Sequence, residues 1–316
     1  MPHPRQNPIK SLVRKSLFRI ATPELMIALK HLRAKYSKTH IEKKPFPQRN
    51  LHATNSVPAR KVLVLSPHPD DEAIGLGGAL SMHIENQSEV TVLYLTDGRG
   101  PGAAESNSLS AAAELPKLAI VRRKEAESIG DDYPINQIFW EIKDNHLTND
   151  SETVSALVDV LTNVQPELIY LPSFFDHHYD HFSANQVLVD ALNKFPHSRM
   201  TILGYEVWDN TPFPNHILDI SAHFEQKAKI LSYYKTPLKY TDFIKLCRHR
   251  NALHYLLYVD SLDKQPEGYA EAFYRLDSIT YRRLFDENLQ ALKEHRSLLP
   301  SHLVARRQIS NLKSAT

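Results

Sequence analysis

The run "KVLVLS", Lys61 to Ser66, places four apolar residues in a row with no polar alternation. A strand built from it has to be covered on both faces, which is the habit of parallel sheets. Comparable runs follow in "EVTVLYLTDG", "QIFWEI", "ELIYLP" and "MTILGYEVW". Segments of helical character separate them, among them "KLAIVRRKEAESIG", expected to close at Gly130, and "SETVSALVDVLTNV", expected to be capped by Ser151. This alternation predicts an α/β fold, a Rossmann-like, mostly parallel sheet with helices on both faces. From about residue 221 the pattern turns mainly helical, and this part is expected to pack on the sheet's edge and wall one side of a site. In open sheets of this kind ligands bind beyond the carboxyl ends of the strands.

Two polar clusters fall at such ends, "PHPDDE" after the first strand and "DHHYDH" after the fourth. His68, Asp70, Asp71 and Glu72 lie within five residues. Neighbouring carboxylates repel, so the crowding requires a cation or exposure to water. A metal explains it: zinc favours imidazole and carboxylate ligands and, in catalytic sites, keeps a position for water. His68, Asp71 and His181 are the expected ligands of Zn²⁺ or another divalent metal. Asp70 then stands beside the ion as a general base. His178, one turn before His181, can offer a nitrogen to a developing oxyanion or hand a proton to a leaving amine, with Asp180 holding its ring. These parts make a hydrolase for amides or esters. Glu72 reads as a cap of the following helix, and Asp176 and His177 have no assigned role. Taken singly, a His or an Asp at a strand end reads as a surface turn; two clusters at two strand ends read as a site.

Two other classes compete. A strand, a Gly-rich turn and a helix also describe a dinucleotide-binding start, but Gly75, Gly77 and Gly78 come after the polar cluster, where they suit close helix packing instead. The alternative is a non-catalytic scaffold with a structural metal, acting through its basic N-terminal helices.

"HPDDEAIGLGGAL" together with "HYDH" resembles the zinc-dependent LmbE-like de-N-acetylase family, which includes N-acetylglucosaminylphosphatidylinositol de-N-acetylase. The likeness runs from about Lys61 into the C-terminal third, through "LGYEVWD", "FEQKAKILSYYK" and "EAFYRL". It implies zinc on His68, Asp71 and His181, Asp70 as base, His178 as oxyanion stabiliser or amine acid, and Asp180 orienting His178. It also implies an N-acetylated sugar as substrate. An R-x-x-E on the helix after the second strand is matched by Arg122 to Glu125. Arg122 is accordingly a candidate substrate contact, against a solvated helical arginine.

The charge is divided unevenly. Residues 1–50 carry twelve Lys or Arg against Glu24 and Glu42, a balance of +10, which leaves −8 on the remainder of a chain whose net charge is +2. Two short basic amphipathic helices are expected within residues 9–36, then a proline-bearing linker, so that residues 1–58 form an extension and 59–316 the deacetylase domain. The helices can contact an anionic membrane surface, or dock on the domain or on a second subunit. No nucleic acid is expected, because the basic run lacks interleaved aromatics. One cysteine, no membrane-length apolar run and no secretory signal pattern point to a cytoplasmic address, peripheral to the inner membrane face if the helices bind lipid.

Overall fold

Val62 and Val64 of β1 (Lys61–Ser66) point into one face of a sheet, Leu63 and Leu65 into the other, and all four have no exposed surface. The computed structural model describes residues 53–100, 109–195, 199–212, 214–259 and 268–297. Those from Ala53 to Asn288 belong to one compact unit. The two basic helices predicted within residues 9–36 lie outside the described residues.

β1 pairs in parallel with β2 (Glu89–Thr96) on one side and with β4 (Leu168–Pro172) on the other. β3 (Ile135–Ile142) adds outside β2 and β5 (Thr201–Tyr205) outside β4, both parallel. Strand order therefore reverses between β1 and β4, and a crevice opens at their carboxyl ends. On one face α1 (Asp71–Glu85), α2 (Leu109–Asp132), α5 (Phe224–Tyr233) and α7 (Phe243–His254) share a core with Val62, Val64, Val92 and Tyr170. On the other, α3 (Ser151–Val164) packs on α4 (Tyr179–Lys194), which lies along β4. A single turn, α6 (Lys235–Leu238), joins α5 to α7, and α8 (Ser278–Ser297) closes the described chain. Among the described residues no helix is long and apolar enough to cross a membrane.

The five strands and the parallel arrangement are those read from the sequence. Two further strands are not: β6 (His216–Asp219) and β7 (Ala270–Asp277), with β7 antiparallel to β5 and β6 antiparallel to β7. β6 has only four residues, and "AEAFYRLD" is rich in helix formers. Its strand state comes from pairing with the edge of β5, a tertiary effect that outweighs local propensity. At helix ends the differences are small. α2 passes Gly130 and ends at Asp132, and α3 is capped by Asp150, whose carboxylate accepts from the Thr153 N–H at 2.9 Å.

α1 is bent soon after it leaves the "PHPDDE" cluster. The backbone departs from helical angles at Leu76 (φ −141°, ψ 22°), so the second half of the helix starts anew with unsatisfied N–H groups. Glu271 of β7 accepts from the Gly78 and Ala79 N–H groups, both at 2.9 Å, and pairs with Lys227 of α5 at 2.7 Å. Both side chains are about 1% exposed. The glycines allow the approach: a Cβ on Gly75 would fall 2.1 Å from the Tyr205 ring, and one on Gly78 would fall 2.6 Å from Ile220. They are packing positions and form no phosphate loop. Glu271→Ala leaves a buried ammonium and two helical donors without a partner, and is expected to cost about 3–5 kcal/mol. Denaturant unfolding measures it, and a loss below about 1 kcal/mol would show that the pair does not hold the bend.

Candidate metal and active site

Past Ser66 the chain turns sharply instead of entering a helix directly. The Ser66 hydroxyl donates to the His68 carbonyl at 2.7 Å and to Glu72 Oε2 at 2.9 Å. Asp70, at the N-terminal boundary of α1, has φ 136° and ψ −23°, a region that L-residues rarely enter. Such backbone costs about 1–3 kcal/mol and persists only where its surroundings enforce it. The enforcement is visible: Asp70 N–H donates to Glu72 Oε2 at 3.2 Å, and its carbonyl accepts from Ala73 and Ile74 at 3.0 and 2.9 Å. The tension aims the His68, Asp70 and Asp71 side chains at the crevice between β1 and β4.

His181, in the first turn of α4, meets them there. His68 Nδ1 lies 3.0 Å from Asp71 Oδ2, His181 Nε2 lies 3.1 Å from the same oxygen, and the two nitrogens are 3.3 Å apart. Three donor atoms thus form a nearly equilateral triangle. Ligands about 2.0–2.1 Å from one tetrahedral ion are separated by about 3.3 Å, so this triangle fits one face of such a site. Each imidazole is also held from behind by a carboxylate. Asp180 Oδ2 is 3.1 Å from His68 Nε2, and Asp176 Oδ1 is 3.1 Å from His181 Nδ1. Outer carboxylates of this kind fix the tautomer and orientation of metal-binding histidines. Two imidazoles and one carboxylate, each backed or buried, suit a divalent cation, and the residues present fit one.

The local electrostatics agree with that reading. Burial depresses the His68 pKa, but Asp144 and Asp71 outweigh it and hold it well above the ordinary value. For His181, burial is likewise overcome by Asp71 and Asp176, which raise it to about 9. Burial works against Asp71 as an anion, yet His181 and His68 keep its pKa well below the usual carboxylate range. The triangle therefore attracts positive charge, as protons or as a metal ion.

Asp70 stands apart from the triangle. Burial raises its pKa to about 6, opposed mainly by Arg122, whose Nη2 lies 3.2 Å from Asp70 Oδ1. Arg122 is 2% exposed and also donates to the Pro69 carbonyl. It is neither a solvated arginine nor an open substrate contact; it braces the strained turn and the Asp70 carboxylate. Gly98, at φ +58°, makes room for this, since a Cβ there would sit 2.8 Å from Pro69 and 3.3 Å from the guanidinium. Glu72 does more than cap the helix. Its carboxylate is buried among Ser66, Tyr94 and Tyr234, and that burial raises its pKa to about 7.

One assignment requires correction. Asp180 was expected to hold the His178 ring, but its carboxylate is turned to His68 and to the backbone N–H groups of Asn145 (2.6 Å) and Leu147 (3.1 Å). The reason is helical geometry. His178 is the N-cap of α4, and its Nδ1 accepts from the Asp180 backbone N–H at 3.2 Å, which leaves the Asp180 side chain free for the β1 side. The His178 ring lies 4.5 Å from that of His68 and 4.7 Å from that of His181. Burial and the two neighbouring imidazoles hold its pKa well below the ordinary value, so it is neutral. With Nδ1 accepting, its proton resides on Nε2.

Two further residues join the site. Asp176 accepts from the N–H groups of His178 and Trp208, both at 2.9 Å, besides facing His181. Asp144, in the loop after β3, lies 3.6 Å from His68 Nε2 and accepts from Gly100 at 2.8 Å. Position beside a histidine cluster was the only sequence signal for Asp176, and Asp144 had none. His177 instead pairs with Asp209 at 2.7 Å.

A family profile described as GlcNAc-PI de-N-acetylase, PIG-L, matches residues 63–192, which span both clusters. Residues 63–192 form a PIG-L family domain. The chain is 31% identical over 147 residues to a 4-oxalmesaconate hydratase of Pseudomonas putida, covering 46% of this chain and 54% of that protein. The chain thus spans about half the length of this relative. It is 26% identical over 196 residues to a diacetylchitobiose deacetylase of Thermococcus kodakarensis, covering 56% of this chain and 70% of the relative. Among solved structures, the N,N'-diacetylchitobiose deacetylase of Pyrococcus horikoshii superposes with a TM-score of 0.55 at 25% identity, over 71% of this chain and 86% of that one. The mostly parallel α/β sheet is therefore shared with the Pyrococcus horikoshii deacetylase.

The outer carboxylates provide a test that leaves the triangle itself intact. Asp176→Asn and Asp180→Asn are each expected to weaken metal affinity by about 10- to 100-fold, measured by competition with a chromogenic chelator. Affinities equal to that of the unaltered protein would mean that the metal, if bound, sits elsewhere.

Proposed function

We propose that this protein is a zinc-dependent N-deacetylase that releases acetate from an N-acetylated amino sugar. The observation that carries the reading is the triangle of His68 Nδ1, Asp71 Oδ2 and His181 Nε2, with Asp70 beside it and a carboxylate behind each imidazole. The deacetylases among its relatives and neighbours support the choice of substrate class. Zinc held by His68, Asp71 and His181 would supply Lewis acidity toward the acetyl carbonyl and make water acidic enough to ionise near neutral pH.

The chain's own residues do the rest. Asp70, ionised above about pH 6 and fixed by Arg122, takes a proton from the attacking water. His178, neutral and bearing its proton on Nε2, donates to the oxygen of the carbonyl as negative charge gathers there. When the C–N bond breaks, Asp70 returns its proton to the departing nitrogen, so that water and amide give acetate and a free amine. Asp180 and Asp176 keep the two imidazoles in register throughout. The balance of +10 on residues 1–50 favours an anionic or membrane-proximal glycan, and a cytoplasmic enzyme peripheral to the membrane accords with it.

A second reading has a specific observation behind it. The likeness to the hydratase is the higher in identity, and the same parts could add water to a substrate of the 4-oxalmesaconate kind. Metal analysis combined with a screen for acetate release from a panel of N-acetylglucosaminides separates the two. Under the deacetylase reading the protein carries one zinc and releases acetate, and Asp70→Asn keeps the metal while lowering the rate by about 10²- to 10⁴-fold. Hydration of the unsaturated acid without any acetate release would overturn it in favour of the hydratase.

A further inference from the structure

We propose that Trp208 is the surface on which the substrate's sugar ring stacks. This deepens the deacetylase reading and rests on it. Beyond β5 the chain continues past the same end of the sheet that bears the metal triangle, and Trp208 is the third residue after the strand. Its backbone N–H donates to Asp176 Oδ2 at 2.9 Å, and the other oxygen of Asp176 is 3.1 Å from His181 Nδ1. The backbone of Trp208 is therefore held one side chain away from His181, a proposed metal ligand.

The mount is rigid. Arg250 of α7 donates to the carbonyls of Glu206 and Val207 at 3.3 and 2.7 Å. His254, one turn further along α7, meets the Glu206 carboxylate at 2.7 Å, and Glu206 also accepts from the Thr211 N–H at 2.6 Å. Glu206 and Val207 are consequently 3% and 1% exposed, yet the next residue, Trp208, is 45% exposed. Its ring has an edge-to-face contact with Phe243, 5.7 Å between centroids and 67° between planes. Phe243 belongs to the main core, so one part of the indole is anchored and the rest is offered to solvent. An indole carried by a backbone held this firmly at the carboxyl end of β5, and left this open, suits a ligand with an apolar face. A pyranose presents such a face through its ring C–H groups, which the electron-rich face of an aromatic ring attracts. A sugar whose acetamide reaches the triangle carries its ring toward the rim, where Trp208 stands.

The chain has two tryptophans, Trp140 and Trp208, so fluorescence reports on the site. In the Asp70→Asn protein, which turns the sugar over about 10²- to 10⁴-fold more slowly, titration with N,N'-diacetylchitobiose is expected to give a saturable change in emission. Adding Trp208→Phe should abolish that change while Trp140 remains. In the otherwise unaltered zinc-loaded protein, Trp208→Ala should raise KM for the same sugar about 10-fold, with kcat within about twofold and zinc content unchanged. Trp208→Phe should restore KM to within about threefold. A KM unaffected by Trp208→Ala, or a fall in kcat accompanied by loss of zinc, would overturn the proposal, the second by showing that Trp208 acts only through Asp176. Should Trp208→Ala fail to fold, the titration decides: saturable binding seen by calorimetry with no change in tryptophan emission overturns stacking. Wild-type protein that releases no acetate from any N-acetylglucosaminide defeats the deacetylase reading itself, whereas an active wild type matched by Trp208→Ala defeats only the stacking.

Discussion

Six carboxylates, Asp70, Asp71, Glu72, Asp144, Asp176 and Asp180, are buried around the imidazoles of His68, His178 and His181 at the carboxyl ends of β1 and β4, none of the six more than 8% exposed. Buried anions are tolerated only with compensating charge or hydrogen bonds, and each of these six has a definable partner. Asp180 and Asp176 are bound by backbone N–H groups and back the imidazoles; Glu72 is sealed among hydroxyls; Asp70 faces Arg122. Asp71 alone is shared between two imidazole nitrogens. That shared point is where a doubly charged ion balances the cluster best, and metal binding there would displace the protons that the same carboxylates hold on His68 and His181. The rest of the molecule keeps this concentration of charge in place.

The scaffolding reaches far from the site. The strained turn at Asp70 depends on Glu72 and Arg122, and the helix it opens bends five residues past the turn's end, at Leu76, onto Glu271 and Lys227. Glu271 lies on the half of β7 that pairs with β6, opposite Leu218, while the other half of β7 adds to the edge of β5. Beyond β5, the loop that carries Trp208 is clamped by Arg250 and His254 and holds Asp176, which holds His181. The two antiparallel strands and α7 are thus part of what aligns the crevice, and both halves of the triangle are supported from the C-terminal third of the chain.

Much of this could be read from residues alone, and the reasons for the remainder are physical. β1 announced itself because a strand buried on both faces needs an unbroken apolar run. His68, Asp70, Asp71 and His181 stood out because they are grouped in two short polar motifs at strand ends, and the structure brings the His68, Asp71 and His181 side chains together. Asp144 and the true partner of Asp180 were not visible, because they depend on how the loop after β3 wraps over α4, a contact between residues 33 to 35 positions apart. Arg122 read as a substrate contact or a solvated helical residue because nothing local reveals that Pro69 and Gly98 enclose it. The Lys227–Glu271 pair joins residues 44 apart, each of which would look solvent-facing in its own segment. Local pattern marked the candidate ligands; the shell that orients them is a property of the assembled sheet.

The central claim is that one divalent ion is held by His68, Asp71 and His181. X-ray absorption at the zinc edge on the purified full-length protein tests it most directly. The account predicts stoichiometric zinc with only nitrogen and oxygen neighbours at about 2.0–2.1 Å, two of them imidazoles, with one imidazole lost in His181→Ala. A full complement of zinc whose two-imidazole signature is unchanged by His181→Ala, or a protein that binds no divalent ion, would contradict it.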